Sequence, residues 1–164
     1  MNVGRLLRHV FTTLSSVRRA FPATSLDAIE TAIRTTEATH QGQIRFAVEH
    51  ALDVPQLVAE LPARERAIEV FSQLRVWDTE RNNGVLIYLL FADRDVEIVA
   101  DRGIHAKVGA GWEDICRAME QRFRNGEFEQ GVIDGIRAVS AHLSHHFPSQ
   151  KPGLNELPDR PVLL

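Results

Sequence analysis

Three polar corners of the chain hold the residues best suited to chemistry: Glu37 to Gly42, Asp78 to Gly84 and Asp101 to Lys107. They carry Glu37, His40, Asp78, Glu80, Asn82, Asn83, Asp101, Arg102 and His105. Carboxylates and amide oxygens with little sulfur near them suit a hard cation, calcium or magnesium, which takes oxygens from such groups and from water. The metal set read from these corners is Asp78, Glu80, Asn82, Asn83, Asp101 and His105. Asp101 and Arg102 are the catalytic candidates should the ion serve a reaction, with Arg102 steadying a phosphate. Spacing is the weak point. The run from Asp78 to Gly84 resembles a calcium loop only loosely, because the helix, central glycine and terminal glutamate of such a loop are not in place. A solvated rim that caps strands and begins helices is the other reading of the same residues.

Two further groups have suggestive types. His142, His145 and His146 share a helical face, as a nickel, copper or zinc site requires, but they also fall in a last helical turn, where positive charge is favourable without any ligand. His50, Asp53, Asp93 and Asp95 gather at the opposite end of the expected sheet. Ligands of parallel sheets favour the carboxyl ends of strands, but no glycine-rich loop follows the first strand here, so this end ranks lower. No Walker-type phosphate loop, G-x-S-x-G elbow or H-E-x-x-H helix occurs, so the sequence offers no nucleotide cofactor site and no support for serine hydrolysis or zinc proteolysis.

The elements that must position these corners are legible from periodicity. Val85 to Phe91 is an unbroken apolar run, short enough for a strand and too continuous to have one face in water. Its partner, Val96 to Asp101, alternates, and Asp93-Arg94-Asp95 supplies the turn of a β-hairpin. Gln43 to His50 alternates as well and reads as the first strand, with Arg45 and Glu49 on one side, able to pair or to meet a neighbour's charges. A loop with Pro55 and Pro62 leads to a helix carrying Ala67, Val70, Phe71, Leu74 and Trp77. Strand, helix, strand makes a βαβ unit, so strands 43–50 and 85–91 should run parallel. That pairing is what brings the three corners to one end.

Around this unit a helix is expected from Thr24 to about Thr39, capped by Thr24 with Asp27. Two more follow the hairpin, with stripes Trp112, Ile115, Cys116, Met119, Phe123 and Phe128, Val132, Ile136, Val139, Leu143. Gly131 and Gly135 weaken the last helix and imply close packing. The expected class is α/β: a three-layer α/β/α sandwich with a small mixed sheet. Residues 1–24 form a basic amphipathic helix, 25–147 the α/β domain, and 148–164 a proline-rich extended tail whose apolar end, Pro161 to Leu164, would dock on this chain or on a neighbour.

Composition narrows the partners. A net charge of −3 over 164 residues hides an asymmetry: residues 1–24 hold Arg5, Arg8, Arg18 and Arg19 and no acid, so the remainder is more acidic than the whole. The globular part therefore repels phosphate backbones, and no basic and aromatic interleaving favours nucleic acid. The stripe from Val3 to Phe21 either packs on the domain or meets a membrane surface or a partner through residues 2–21. Cys116 is the only cysteine and reads as a core residue. Without an apolar run of membrane length or a secretory signal, a cytoplasmic location of bacterial type is expected.

The hairpin and its flanks carry a resemblance. Asn83-Gly84-Val85-Leu86 entering a strongly hydrophobic strand, a tight turn, a charged second strand, a G-x-G-like corner and two helices resemble the TPM domain over Ser25 to Phe147. Where many members have G-x-G-[LI]-E, this chain has Asp101-Arg102-Gly103-Ile104-His105, so a carboxylate is lost at one position and gained four residues earlier. The resemblance implies an α/β sandwich, divalent-cation binding in some members and a phosphatase activity proposed for the family. It also implies a protein partner, a membrane-anchored TPM or LemA-type protein. Two functions follow: a cytoplasmic binding or scaffold domain, or a metal-dependent phosphomonoesterase, an acid phosphatase-like hydrolase in which Asp78, Glu80 and Asp101 hold the ion.

Overall fold

The computed structural model describes residues 3–149 and 154–164. In chain order the elements are α1 (Val3–Phe11), α2 (Leu14–Ala20), α3 (Ala23–Glu37), β1 (Gln43–Glu49), α4 (Val54–Val58), α5 (Ala63–Gln73), β2 (Gly84–Leu90), β3 (Asp95–Ala100), α6 (Arg102–Val108), α7 (Gly111–Arg124), α8 (Phe128–His146) and β4 (Val162–Leu163). The sheet order is β3-β2-β1-β4, with β2 and β3 antiparallel and β1 parallel to both β2 and β4. Gln43 stands opposite Gly84 and Glu49 opposite Leu90, so the two central strands begin and end together.

β2 is buried at every residue because each side chain meets a helix layer. Val85, Ile87 and Leu89 face a core shared with α2, α3, α7 and α8, including Phe21, Ile29, Met119, Phe123 and Ile136. Leu86, Tyr88 and Leu90 face a second core with Ala67, Val70 and Phe71 of α5, Leu57 of α4 and Leu157 of the tail. This is the three-layer arrangement that the continuous run requires. Gly131 and Gly135 let α8 press on α7: a Cβ would come within 2.7 Å of the Phe123 ring and 2.3 Å of Met119 Sδ.

Several local expectations are corrected. Residues 3–21 form two helices rather than one, because Thr13 accepts a hydrogen bond from Ser16 N and starts α2 afresh; Asn2 lies outside the described residues. Their stripe is not one buried seam, since Val17 and Phe21 are buried while Val3, Leu7, Val10 and Phe11 are exposed. α3 begins at Ala23 with Pro22 as its N-cap, not with a Thr24 and Asp27 box. A capping box does occur at α4, where Asp53 and Gln56 satisfy each other's backbone N–H groups. Trp77 lies beyond α5 and is half exposed. The tail docks on its own chain: Leu164 N donates to Val48 O and His50 N donates to Leu164 O, making β4 the edge strand. Arg45 and Glu49 do not pair. Arg45 reaches Arg160 O at 3.0 Å, and Glu49 takes a two-pronged contact from Arg66 at 2.9 Å.

Candidate functional site

Parallel pairing brings the start of β1 beside the start of β2, and the polar corners gather there as the βαβ reading requires. Asn83 stitches two of them together. Its backbone N–H donates to Thr79 Oγ1 at 3.0 Å, its carbonyl accepts from Gln43 N at 3.0 Å and its side-chain Nδ2 donates to Gln41 O. Gly84 follows, packed so closely that a Cβ would meet Val76 O at 2.0 Å. Asp101 ties in the third corner by accepting from Gly84 N at 2.8 Å.

The tail closes the fourth side. Gln43 Oε1 accepts from Glu156 N at 2.7 Å and Leu157 N at 3.1 Å, and the Glu156 carboxylate accepts from Glu80 N at 2.7 Å. Asp159, only 6% exposed, accepts from Asn155 Nδ2 at 2.8 Å and Arg34 Nε at 3.3 Å. The result is a cleft of about 620 Å³ in which the carboxyls of Glu37, Glu80, Glu156 and Asp159 outnumber the guanidiniums of Arg34 and Arg81. Arg81 is turned to Gln41 Oε1 at 2.8 Å.

Two buried groups in this cleft lack partners. His40 is 3% exposed, and neither ring nitrogen makes a well-aligned hydrogen bond among the described residues, the Gly42 carbonyl being its one polar neighbour; Asn83 Oδ1, on a residue 7% exposed, is unpaired. Burial holds the His40 imidazole down to about 4 against the opposing pull of the Gly42 carbonyl, so it is neutral at pH 7 and offers one acceptor nitrogen. Glu37 is displaced the other way. Desolvation pushes its carboxyl up to about 8, which the hydrogen bond from Ile44 N opposes and the charge of Asp159 reinforces. Both shifts come first from burial, which disfavours the charged form of an acid and of a base alike.

A scan against family models matches the TPM domain over residues 18–142. The chain belongs to the TPM domain family. It is similar to the NMR structure of the BA42 protein from the psychrophilic bacterium Bizionia argentinensis, with 32% identity, a TM-score of 0.76 and coverage of 87% of this chain and 94% of that one. The N-terminal domain of a protein from P. gingivalis shares the fold at 18% identity and a TM-score of 0.60, covering 76% of this chain and 77% of that one. None of the curated proteins matches.

Within this TPM domain the sequence-derived site residues are divided. Glu80 and Asn83 line the cleft together with Glu37 and His40. Asp78 pairs with Arg75 at 2.6 Å on the exposed surface, and Asn82 is an exposed turn residue with a φ of 50°. Asp101 is engaged by Gly84 N, and burial raises its carboxyl from the usual range. Arg102 opens α6 and is exposed. His105 lines a different cleft, of about 520 Å³, with Arg64, Asp95, Trp112, Cys116 and Glu120. There burial pushes Asp95 up to about 6 and the Cys116 thiol up to about 12, far from a reactive thiolate.

Among the described residues no three His, Cys, Asp or Glu side chains are grouped as ligands of a metal ion. Of the histidines of α8, His142 stacks edge-on to Trp112, and the rings of His145 and His146 lie with centroids 4.6 Å apart. Sequence reasoning did not find Gln43, Glu156 and Asp159. Gln43 was hidden inside a strand, and the two acids belong to a tail whose return path no periodicity announces.

Proposed function

We propose that this TPM domain is a binding domain whose cleft at the start of β1 and β2 takes a small, hydrogen-bond-donating cation. Either a hydrated divalent ion, calcium or magnesium, or an organic ammonium has that chemistry. The observation that carries the reading is the pair of unpartnered buried groups, the His40 ring and Asn83 Oδ1, in a cleft richer in carboxyls than in guanidiniums. Buried polar atoms are nearly always paired in native proteins, so acceptors left open along a cleft favour a donor from outside. A cation also neutralises Glu80, Glu156 and Asp159 and lowers the cost of ionising Glu37. Because no set of three ligands closes around a bare ion among the described residues, a divalent cation would keep its water and be held through it.

The phosphomonoesterase reading needs Asp78, Glu80 and Asp101 on one ion and Arg102 on the phosphate. Asp78 is taken by Arg75 and Asp101 by Gly84 N, so binding is the role the geometry favours. A scaffold acting with a protein partner is consistent with it, as the family resemblance implies.

Calorimetric titrations of magnesium, calcium and spermidine, each alone at pH 7, test the proposal. Saturable binding of one of them, with release of a proton as Glu37 ionises and with weaker binding in His40→Leu, is the expected result. The responding cation separates a mineral from an organic ligand. No saturation by any of the three up to about 10 mM would sink the reading, since even weak physiological cation sites saturate below that.

A further inference from the structure

α1 is built inside out. At helical spacing Val3, Leu7, Val10 and Phe11 share one face, and that face points to solvent, with exposures of 61%, 50%, 57% and 75%. On the inward side only Leu6 is apolar, packed against the second core, and the rest is polar. His9 is 2% exposed, its Nδ1 accepts from Leu52 N at 3.0 Å, and its Nε2 lies 3.0 Å from Asp93. Arg5 Nε and Arg8 Nη2 meet the same carboxylate at 2.8 and 3.0 Å. The helix is thus anchored by Leu6 and by its polar groups, while Val3, Leu7, Val10 and Phe11 stay free of the core. A buried polar side with an exposed apolar one is the informative reversal of the usual pattern.

Charge decides what covers this face. Through residue 24 the chain has four arginines and no acid. Arg18 and Arg19 on the next helix are exposed and make no ion pair among the described residues. Asp93 already answers Arg5 and Arg8, so a second copy of the chain, meeting this face by two-fold symmetry, would bring only Arg18 and Arg19 to the contact and no acid from this segment to meet them. A surface of anionic headgroups answers both features, with acyl boundary for the stripe and phosphate for the arginines. No helix among the described residues is long and apolar enough to cross a membrane, so the contact would be peripheral.

We propose that the outward face of α1 seats the domain on an anionic lipid surface, with Val3, Leu7, Val10 and Phe11 entering the headgroup boundary while Arg18 and Arg19 supply the charge attraction. The inference is independent of the cleft: loss of either leaves the other standing.

Co-sedimentation of the full chain with vesicles tests it, using pure phosphatidylcholine against phosphatidylcholine with roughly a third phosphatidylglycerol. Wild type should pellet with the anionic vesicles only, and less at high salt. The double substitution Leu7→Glu with Phe11→Glu should lower the bound fraction at least about tenfold, and Arg18→Gln with Arg19→Gln should reduce it and flatten the salt dependence. Both pairs are at exposed positions, and circular dichroism with a thermal melt checks that the fold is kept. Absence of wild-type pelleting, or equal pelleting by the double-glutamate variant, would overturn the proposal. So would light scattering that finds a dimer dissolved by that variant while no lipid is bound.

Discussion

The two ends of the sheet use the same kinds of residue to opposite effect. At the carboxyl end of β1 and β2, Glu49 is gripped by Arg66 and by the Tyr88 hydroxyl at 2.5 Å, and Asp93 by Arg5, Arg8 and His9. His50 holds the carbonyl of Leu164, and Asp53 caps α4. At the amino end, the charge of Asp159 disfavours that of Glu37, and the His40 ring and Asn83 Oδ1 have no well-aligned partner among the described residues. The first end is held by matched partners, with Asp95 among acids the exception, and works as structure. The second leaves two buried groups unpaired among the described residues, and the proposed binding role rests on that difference. Parallel sheets usually bind at the carboxyl end. Here α1 and the tail strand occupy that end.

The largest test of this contrast is Glu49→Ala. It leaves the nearly buried Arg66 without its bidentate partner and Tyr88 without its acceptor, and urea denaturation should show a loss of about 3 kcal/mol or more. A cost below about 1 kcal/mol would deny that this end is held by matched charges. Asp93→Ala should cost less, about 1 to 2 kcal/mol, because Arg8 returns to water, and it should loosen α1. Faster proteolytic cleavage between residues 3 and 21 is the readout; unchanged cleavage would separate α1 from Asp93.

At the other end His40→Leu should change stability by less than about 1 kcal/mol, or raise it, while cation binding falls, because the ring gives up no well-aligned hydrogen bond, only the weak pull of the Gly42 carbonyl. A large destabilisation would show that the ring nitrogens are satisfied after all. The remaining test is a slope. Glu37 keeps its proton in the fold up to about 8 but loses it near 4.5 when unfolded, so stability falls as pH rises through that interval. His40 acts oppositely, gaining its proton near 6.5 unfolded and near 4 folded, so stability rises with pH from about 4 to 6.5. The two oppose each other below 6.5. Between 6.5 and 8 only Glu37 contributes, and wild type should lose stability there while Glu37→Gln stays flat. Parallel profiles for the two proteins would remove Glu37 from the argument.

How far the sequence reached follows from the range of each interaction. β2 announces itself because seven consecutive apolar residues can be buried only between two layers, and β1 and β3 follow from their alternation and from the length of the crossover. The meeting of the Glu37 to Gly42 and Asp78 to Gly84 corners follows from parallel pairing alone, which is why Glu37, His40, Glu80 and Asn83 could be named beforehand. The diversion of Asp78 is legible three residues away, in Arg75. β4 was not legible. Val162–Leu163 pairs with β1 more than a hundred residues away, and only the odd apolar end of a proline-rich tail hinted at it. The inversion of α1 was hidden for the same reason, since its spacing defines an apolar face but Asp93, which decides the face that turns inward, lies in the hairpin turn.

Backbone amide shifts during a cation titration test the central claim most directly, because they locate the ligand as well as detect it. If the amino-end cleft is the site, saturable shifts should concentrate at residues 37–43, 80–84 and 154–159, and residues 49–53 and 93–98 should stay still. Shifts confined to residues 93–98 and 105–120, or none at any concentration of calcium, magnesium or spermidine, would contradict it.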